Sequence, residues 1–297
     1  MVDGTITRAG FVALAGRPNV GKSTLVNAMV GGKIAIVSDK PQTTRRAIRG
    51  VAMAGDTQLV LVDLPGVQRP RDMLTERMQR RVVAELSESD VALMVINGQE
   101  GVGPGDRFIA GAITRADVPV AVAVNKVDRM EPARLLEVIA AVAALEIGDD
   151  IFPISARTGE GITALRDHLA ALMPESPYLF DPAERSDQSQ DVLMAELVRE
   201  QVLRRTFQEV PHSVEVVIDD YEERQGLTLL RALVWVETES QKGILIGSGG
   251  KMVKAVGTAA RKELERELGT RVHLDLAIRV RRGWRGDDSL LDRLGIE

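Results

Sequence analysis

The residues Gly16-Arg17-Pro18-Asn19-Val20-Gly21-Lys22-Ser23 set two glycines around a short loop and close it with a lysine and a hydroxyl. That spacing suits the cradling of a polyphosphate. Glycines let a backbone wrap closely round an anion without Cβ clashes. Successive N–H groups, with the N-terminus of a following helix, then point at the charge. Lys22 can reach β- and γ-phosphates, and the Ser23 hydroxyl is a hard oxygen ligand for Mg²⁺. Val20 and Thr24 complete the expected phosphate contacts.

Further along, Asp63-Leu64-Pro65-Gly66 follows an apolar run. Its carboxylate suits Mg²⁺, through water, and the Gly66 N–H suits a γ-phosphate. Asn125-Lys126-Val127-Asp128 follows another apolar run, at the edge where ligands of open α/β sheets bind. A carboxylate at Asp128 can accept from both N1–H and the exocyclic amine of guanine. Adenine presents a lone pair at N1 and no amine beside it, and each polar group left unpaired costs about 1–3 kcal/mol. The Lys126 stem can cover one face of the base, Asn125 can tie this loop to the phosphate loop, and a backbone N–H at Ser155-Ala156 can donate to guanine O6.

Between the first two motifs lies Ser38-Asp39-Lys40-Pro41-Gln42-Thr43-Thr44-Arg45. A switch loop needs a threonine whose hydroxyl completes the Mg²⁺ shell. Thr44 is the favoured residue and Thr43 the alternative. Ser23, Thr44 and Asp63 thus form the expected metal set, and Lys22, Asn19, Thr44 and Gly66 the set acting on the reacting phosphate. Many such enzymes place a glutamine directly after Gly66 to orient the attacking water. Here that position is Val67, so the water must be held by backbone, by another residue such as Gln68, or by a partner. Asn19 is a candidate to hold K⁺ against the phosphates, supplying charge where other enzymes use an arginine; the alternative is that Asn19 only caps its turn.

These motifs need a frame. Runs at 11–14, 47–53, 58–62, 91–96, 118–124 and 151–154 alternate with helical patterns at 22–30, 72–86, 105–114, 131–146 and 161–172. Near-continuous apolar strands separated by helices predict a mostly parallel six-stranded sheet covered on both faces. A tight turn at Gly55-Asp56 predicts one antiparallel hairpin. Residues 174–190 carry three prolines and many polar groups and read as a linker. A helix over 191–208 follows, capped by Ser189 or Asp191, then strands at 212–218 and 227–237, a glycine-rich turn at 247–250, a helix over 251–268 and a strand over 271–280.

The chain has 297 residues, 44% of them hydrophobic and 27% charged, with no cysteine. Two domains are expected from that length. Without cysteine there is no disulfide, thiolate metal site or thiol nucleophile, which fits a reducing compartment. No charged and apolar leader pattern is read at residues 1–8, and no apolar stretch approaches a membrane span. The net charge of −5 argues against wholesale coating of nucleic acid, but its distribution is uneven: residues 242–285 hold eleven Lys and Arg against four Asp and Glu. An acidic chain with one basic end suggests an anionic partner for that end.

That end contains Ile246-Gly247-Ser248-Gly249-Gly250-Lys251, a GxxG loop expected to follow a strand and short turn and to open a long helix. In KH domains such a loop lets a nucleic-acid backbone approach closely while neighbouring surfaces read about four bases. Lys242, Lys251, Lys254, Arg261 and Lys262 flank it. His168, His212 and His273 lie too far apart in sequence to suggest a metal triad. Trp235 fits a strand core, and Trp284 could stack on a base or pack the chain end.

Taken together, GRPNVGKS at 16–23, PQTTR at 41–45, DLPG at 63–66, NKVD at 125–128, SA at 155–156 and IGSGGKMVKAVGTAARKELE at 246–265 give a chain that resembles the Era family of bacterial GTPases nearly end to end. The resemblance implies a Ras-like GTPase domain over 8–175, a linker over 176–189, a type II KH domain over 190–282 and a tail over 283–297. It implies GTP hydrolysis with Mg²⁺, an apolar residue in place of the catalytic glutamine, and a monomer without an obligate protein partner. It also implies binding of single-stranded RNA at the 3′ end of 16S rRNA during 30S subunit assembly, in the cytoplasm, with peripheral association with the membrane. In the GTP state the Thr44 loop should order and the seating of the two domains should change. The uncharged Ser248-Gly249 interior leaves phosphate affinity to the flanking cations. A competing reading keeps the GTP switch but gives the basic end to a protein partner or an anionic membrane surface.

Overall fold

The structure, a computed structural model, describes residues 7–68 and 70–296, so most of the stretch read for a leader lies outside the described residues. The N-terminal part builds β1 (Arg8–Ala15), α1 (Lys22–Val30), β2 (Ile48–Ala54), β3 (Thr57–Asp63), α2 (Met73–Glu88), β4 (Val91–Asn97), α3 (Pro104–Ala116), β5 (Val120–Asn125), α4 (Pro132–Ala143), β6 (Ile151–Ile154) and α5 (Ile162–Leu172). The strands form one sheet in the order β2-β3-β1-β4-β5-β6. Only β2 runs antiparallel, hairpinned onto β3 through Gly55 at φ 60°.

Alternation in β1 shows how the layers are written. Val12 and Leu14 turn to one face, where Leu25 of α1 and Leu165 and Leu169 of α5 complete a core. Ala13 and Ala15 turn to the other, against Val82 of α2, Ile109 of α3 and Val138 of α4. Both faces are covered, so β4 (VALMVIN) is buried at every position and its sequence shows no alternation. The strand expected from 118 begins at Val120 instead, because Pro119 has no N–H to give the ladder.

The C-terminal part builds α6 (Gln190–Arg205), α7 (Val210–Ser213), β7 (Glu215–Arg224), β8 (Leu227–Val236), α8 (Glu239–Ile246), α9 (Lys251–Leu268), β9 (Arg271–Val280) and α10 (Asp288–Arg293). β7 and β8 are antiparallel, while β8 and β9 are parallel. The parallel pair needs a crossover, and α8 with α9 supplies it. Residues of α6, α8 and α9 pack on one face of this sheet around Val198, Leu245, Val256 and Ala260.

Two sequence expectations are corrected here. The GxxG loop follows a helix rather than a strand and turn: α8 is capped by Thr238, whose hydroxyl accepts from Gln241 N at 3.2 Å while the Gln241 side chain accepts in return from Thr238 N at 3.2 Å. His212 stands in the short helix α7, which carries Pro211 in its first turn, and not in a strand; β7 begins at Glu215. Of the two cap candidates for α6, Ser189 holds the position, without a side-chain cap bond. The stretch read as a linker runs along the sheet edge: Arg185 O accepts from Val51 N at 2.9 Å, and the buried Gln58 side chain holds Leu179 N and Phe180 N at 2.8 and 3.0 Å.

The tail is packed. Trp284, Leu290, Leu291 and Leu294 bury against Leu74 and Met78 of α2. Of the two readings for Trp284, packing is the observed one, with Nε1 donating to Ser213 O at 3.0 Å. Trp235 is only half-buried, at the junction of the two parts, with the Arg281 guanidinium 5.1 Å from its ring centroid.

Candidate nucleotide cleft and RNA groove

Four loops at the C-terminal ends of β1, β3, β5 and β6 meet around a cleft of about 450 Å³. Its phosphate end is shaped by glycines. Gly21 has φ 102°, and a Cβ there would meet Asn125 Nδ2 at 2.3 Å. A Cβ on Gly16 would strike Val95 O at 2.5 Å, and one on Gly66 would strike Pro18 at 2.8 Å. Lys22 begins α1 and is buried, its ammonium donating to Gly16 O at 3.0 Å and Arg17 O at 3.2 Å. Burial pushes its pKa down to about 8, partly offset by the Asp63 carboxylate.

Ser23, Thr44 and Asp63 converge beside it. Ser23 Oγ donates to Asp63 Oδ2 at 2.6 Å, and Thr44 Oγ1 lies 3.0 Å from Ser23 Oγ and 3.3 Å from Asp63 Oδ2. Asp63 Oδ1 is buried without a partner. Burial raises the Asp63 pKa, and Lys22, Ser23 and Thr44 oppose it. Three hard oxygens with an orphaned carboxylate atom are a donor set that fits Mg²⁺. The Thr43 hydroxyl instead donates to Lys40 O at 2.6 Å, so of the two threonines it is Thr44 that stands at the convergence.

Asn125 ties the cleft together. Its Nδ2 donates to Val20 O at 2.8 Å, and its Oδ1 accepts from Lys126 N at 2.8 Å and Ala156 N at 2.9 Å. Of the two backbone N–H groups at Ser155-Ala156 read as able to serve the base, that of Ala156 is engaged by Asn125 and that of Ser155 by Glu160 O at 2.9 Å. Asp128 accepts from Ser155 Oγ at 2.8 Å and pairs with Arg157 at 2.8 Å. The Ser155 hydrogen bond and the Arg157 charge hold its carboxyl below the usual range, so it is ionised and acceptor-only. Arg157 is 65% exposed and occupies the Asp128 carboxylate that a base would take. Lys126 reaches back to Asn19 O at 2.7 Å, and Asn19 Nδ2 donates to Asp39 O at 2.7 Å, linking the phosphate loop to the Thr44 loop. Asn19 and Thr24 line the cleft.

Val67 is buried in the core under α2 and α3, its N–H donating to Gly16 O at 3.2 Å. Gln68 does not line the cleft; its N–H donates to Gln79 Oε1 at 3.3 Å and its own Nε2 is buried without a partner. One supporting residue was missed in the sequence. Arg17 anchors the phosphate loop to α3 through the buried Asp106, at 3.0 Å, and to Glu100, also at 3.0 Å. Its only signal was a charged residue inside a motif otherwise explained by phosphate.

The second site surrounds the loop between α8 and α9. Gly247, Gly249 and Gly250 have φ of 72°, 60° and 75°, and nothing lies within 4 Å of a Cβ built on Gly249 or Gly250. A backbone can thus approach there without obstruction. Ile244 and Ile246 are exposed on one side. On the other, Lys251, Lys254 and Lys262 of α9 share a groove with Arg205 of α6, and none of the three lysines has an ion pair among the described residues. Lys242 sits 3.8 Å from Glu239, a weak solvated pair, whereas Arg261 does not line this groove: it faces a separate hollow with Gly269 and His273, 4.0 Å from Glu265.

A phosphate loop, a hard-oxygen metal set and a base-reading carboxylate on a Ras-like sheet define a P-loop GTPase, here joined to a KH domain. Comparison with known proteins agrees. A family model described as 50S ribosome-binding GTPase matches residues 11–126, and a KH domain model matches residues 209–285. The chain is 46% identical to GTPase Era of Mycobacterium avium (strain 104) over 97% of its own length and 98% of that protein's. With GTPase Era of Lactobacillus helveticus it shares 42% identity over 98% and 96%. Among solved structures it is similar to Era in complex with MgGDPNP and nucleotides 1506–1542 of 16S ribosomal RNA, at 34% identity and TM-score 0.93, covering 98% of this chain and 99% of that one. It is equally similar to a variant of Aquifex aeolicus Era bound to GDP·AlF₄⁻, at 33% identity and TM-score 0.94 over the same shares. The chain belongs to the Era family of GTPases.

Proposed function

We propose that this GTPase binds single-stranded RNA at the 3′ end of 16S rRNA and acts in 30S subunit assembly, with the state of the nucleotide governing the RNA domain. The observation that carries this reading is the open GxxG loop beside Lys251, Lys254 and Lys262, which have no ion pair among the described residues, on the same chain as the guanine cleft. The structure of a relative with 16S nucleotides supports it. The place of action follows from the target and is cytoplasmic; no helix among the described residues is long and apolar enough to cross a membrane.

At the cleft, Ser23, Thr44 and Asp63 would hold Mg²⁺, which neutralises charge on the β- and γ-phosphates when bound. Lys22 and the P-loop amides bind the terminal phosphate and stabilise the charge that develops on it as water attacks in line. The Gly66 N–H meets the same phosphate from the opposite loop. Val67 presents no polar side-chain atom to the water and its N–H is held by Gly16 O, so the backbone at Gly66 or a partner is left to position it. Asp128 and Asn125 select guanine. Asn19, between the phosphate loop and the Thr44 loop, is the residue proposed to hold K⁺.

The test is competition between purified small- and large-subunit rRNA for the full chain. Preference for the small-subunit RNA, weakening steeply with salt, supports the reading, because each phosphate contact releases counterions. Equal binding of both RNAs, or anionic vesicles displacing the RNA, would move the basic end to another partner.

A further inference from the structure

We propose that Arg199 and Glu215, both in the C-terminal domain, are positioning residues for the GTP cleft: they hold the backbone on either side of Thr44. The inference rests on the assignment of the cleft to GTP and Mg²⁺.

Thr44 is buried with its hydroxyl turned to Ser23 and Asp63, yet little of the support for its backbone comes from its own domain. On one side, the Thr43 carbonyl accepts from the Arg199 guanidinium, which is itself fixed by Glu196 at 2.6 Å. On the other, the fully buried Arg45 side chain pairs with Glu215 at 2.6 Å and donates to Val214 O at 2.6 Å and His212 O at 3.1 Å. Arg46 then bridges Glu196 at 3.0 Å and Glu215 at 3.2 Å. The start of the loop is held the same way, with Val37 N donating to Glu200 Oε1 at 3.0 Å and Lys33 pairing with Glu200 at 2.7 Å. This is why α6 is buried on nearly every side from Met194 to Leu203, including Glu196, Arg199, Glu200 and Gln201.

Burial opposes ionisation of Glu215, and Arg46, Arg45 and Arg199 outweigh it, so the carboxylate stays charged in place. Neither Arg199 nor Glu215 lines the cleft. Their reach to the nucleotide runs through Thr44. Switch loops are ordered by the γ-phosphate and its metal; here the second domain supplies part of that order in advance, and the site for GTP is incomplete without it.

The experiment measures affinity for a non-hydrolysable GTP analogue and for GDP, each across a Mg²⁺ titration, in full-length Arg199→Lys, Glu215→Gln and Thr44→Ala chains and in the double variant Thr44→Ala/Glu215→Gln. Arg199→Lys keeps the charge and tests the fork alone should Glu215→Gln fold poorly. The expected result is a tenfold or greater loss for the analogue, a raised Mg²⁺ requirement, GDP affinity within twofold of wild type, and a double variant no weaker than Thr44→Ala. An unchanged ratio of analogue to GDP affinity, or additive losses in the double variant, would overturn the proposal and leave the network as domain glue. Wild type that binds neither nucleotide would instead overturn the assignment of the cleft.

Discussion

The guanine cleft and the GxxG groove both present glycine-shaped backbone to phosphates, but they do it under opposite conditions. In the cleft Lys22, Thr44, Asp63 and Asn125 are all buried. In the groove Ser248, Gly249, Lys251 and Lys254 are exposed, and the lysines are solvated on long stems. Burial makes single groups indispensable, because a charge or dipole acts strongly where water is excluded. Exposure spreads affinity over many weak contacts that salt can erode.

The largest effect that would sharpen this contrast is loss of Lys22. Lys22→Ala should lower GTP turnover by about a thousandfold or more, while RNA affinity without nucleotide stays unchanged; phosphate release and filter binding read the two. Base reading comes next. Asp128→Asn should weaken GTP by about a hundredfold and favour xanthosine triphosphate, and competition between the two nucleotides decides it. In the groove, Ser248→Asp with Gly249→Asp should cost on the order of tenfold in RNA affinity through repulsion of phosphate, with RNA-free GTP turnover intact. Gly249 has open space around it, and aspartate is among the side chains that adopt its φ of 60° at the smallest strain, so the fold should survive.

Proton linkage gives a comparable effect. Lys22 must be charged when phosphate is bound, but burial lowers its pKa in the free protein to about 8. GDP affinity should therefore be flat below pH 7 and fall about tenfold per unit above pH 8; a flat profile to pH 9 would place Lys22 in a less buried setting. Smallest is the monovalent ion: turnover a few-fold faster in K⁺ than in Na⁺, with the difference lost in Asn19→Ala. Equal rates in both salts would leave Asn19 as the clasp to Asp39 alone.

The same contrast explains what could be read from sequence. Gly16, Lys22, Ser23, Asp63, Asn125 and Asp128 were legible because phosphate, metal and guanine each demand one residue type at one spacing. Choosing Thr44 over Thr43 needed coordinates, since the choice turns on which hydroxyl Lys40 O captures. The helix α8 is written in the Thr238–Gln241 capping pair, but the glycine and short apolar runs around it fit a turn equally well. The ion pairs joining Arg45, Arg46, Glu196, Arg199 and Glu215 were not legible at all. Each residue is ordinary in its own segment, and only the packing of α6 between two domains buries them together.

The most direct test of the account is the linkage between its two sites, measured with an oligonucleotide from the 3′ end of 16S rRNA. RNA affinity is determined with a GTP analogue and with GDP, and nucleotide affinities are then determined with and without the RNA. The account predicts tighter RNA binding in the GTP-analogue state, and a matching factor by which RNA tightens the analogue over GDP, since binding linkage is reciprocal. A factor of one in both directions would contradict it, leaving a GTPase and an RNA-binding domain that merely share a chain.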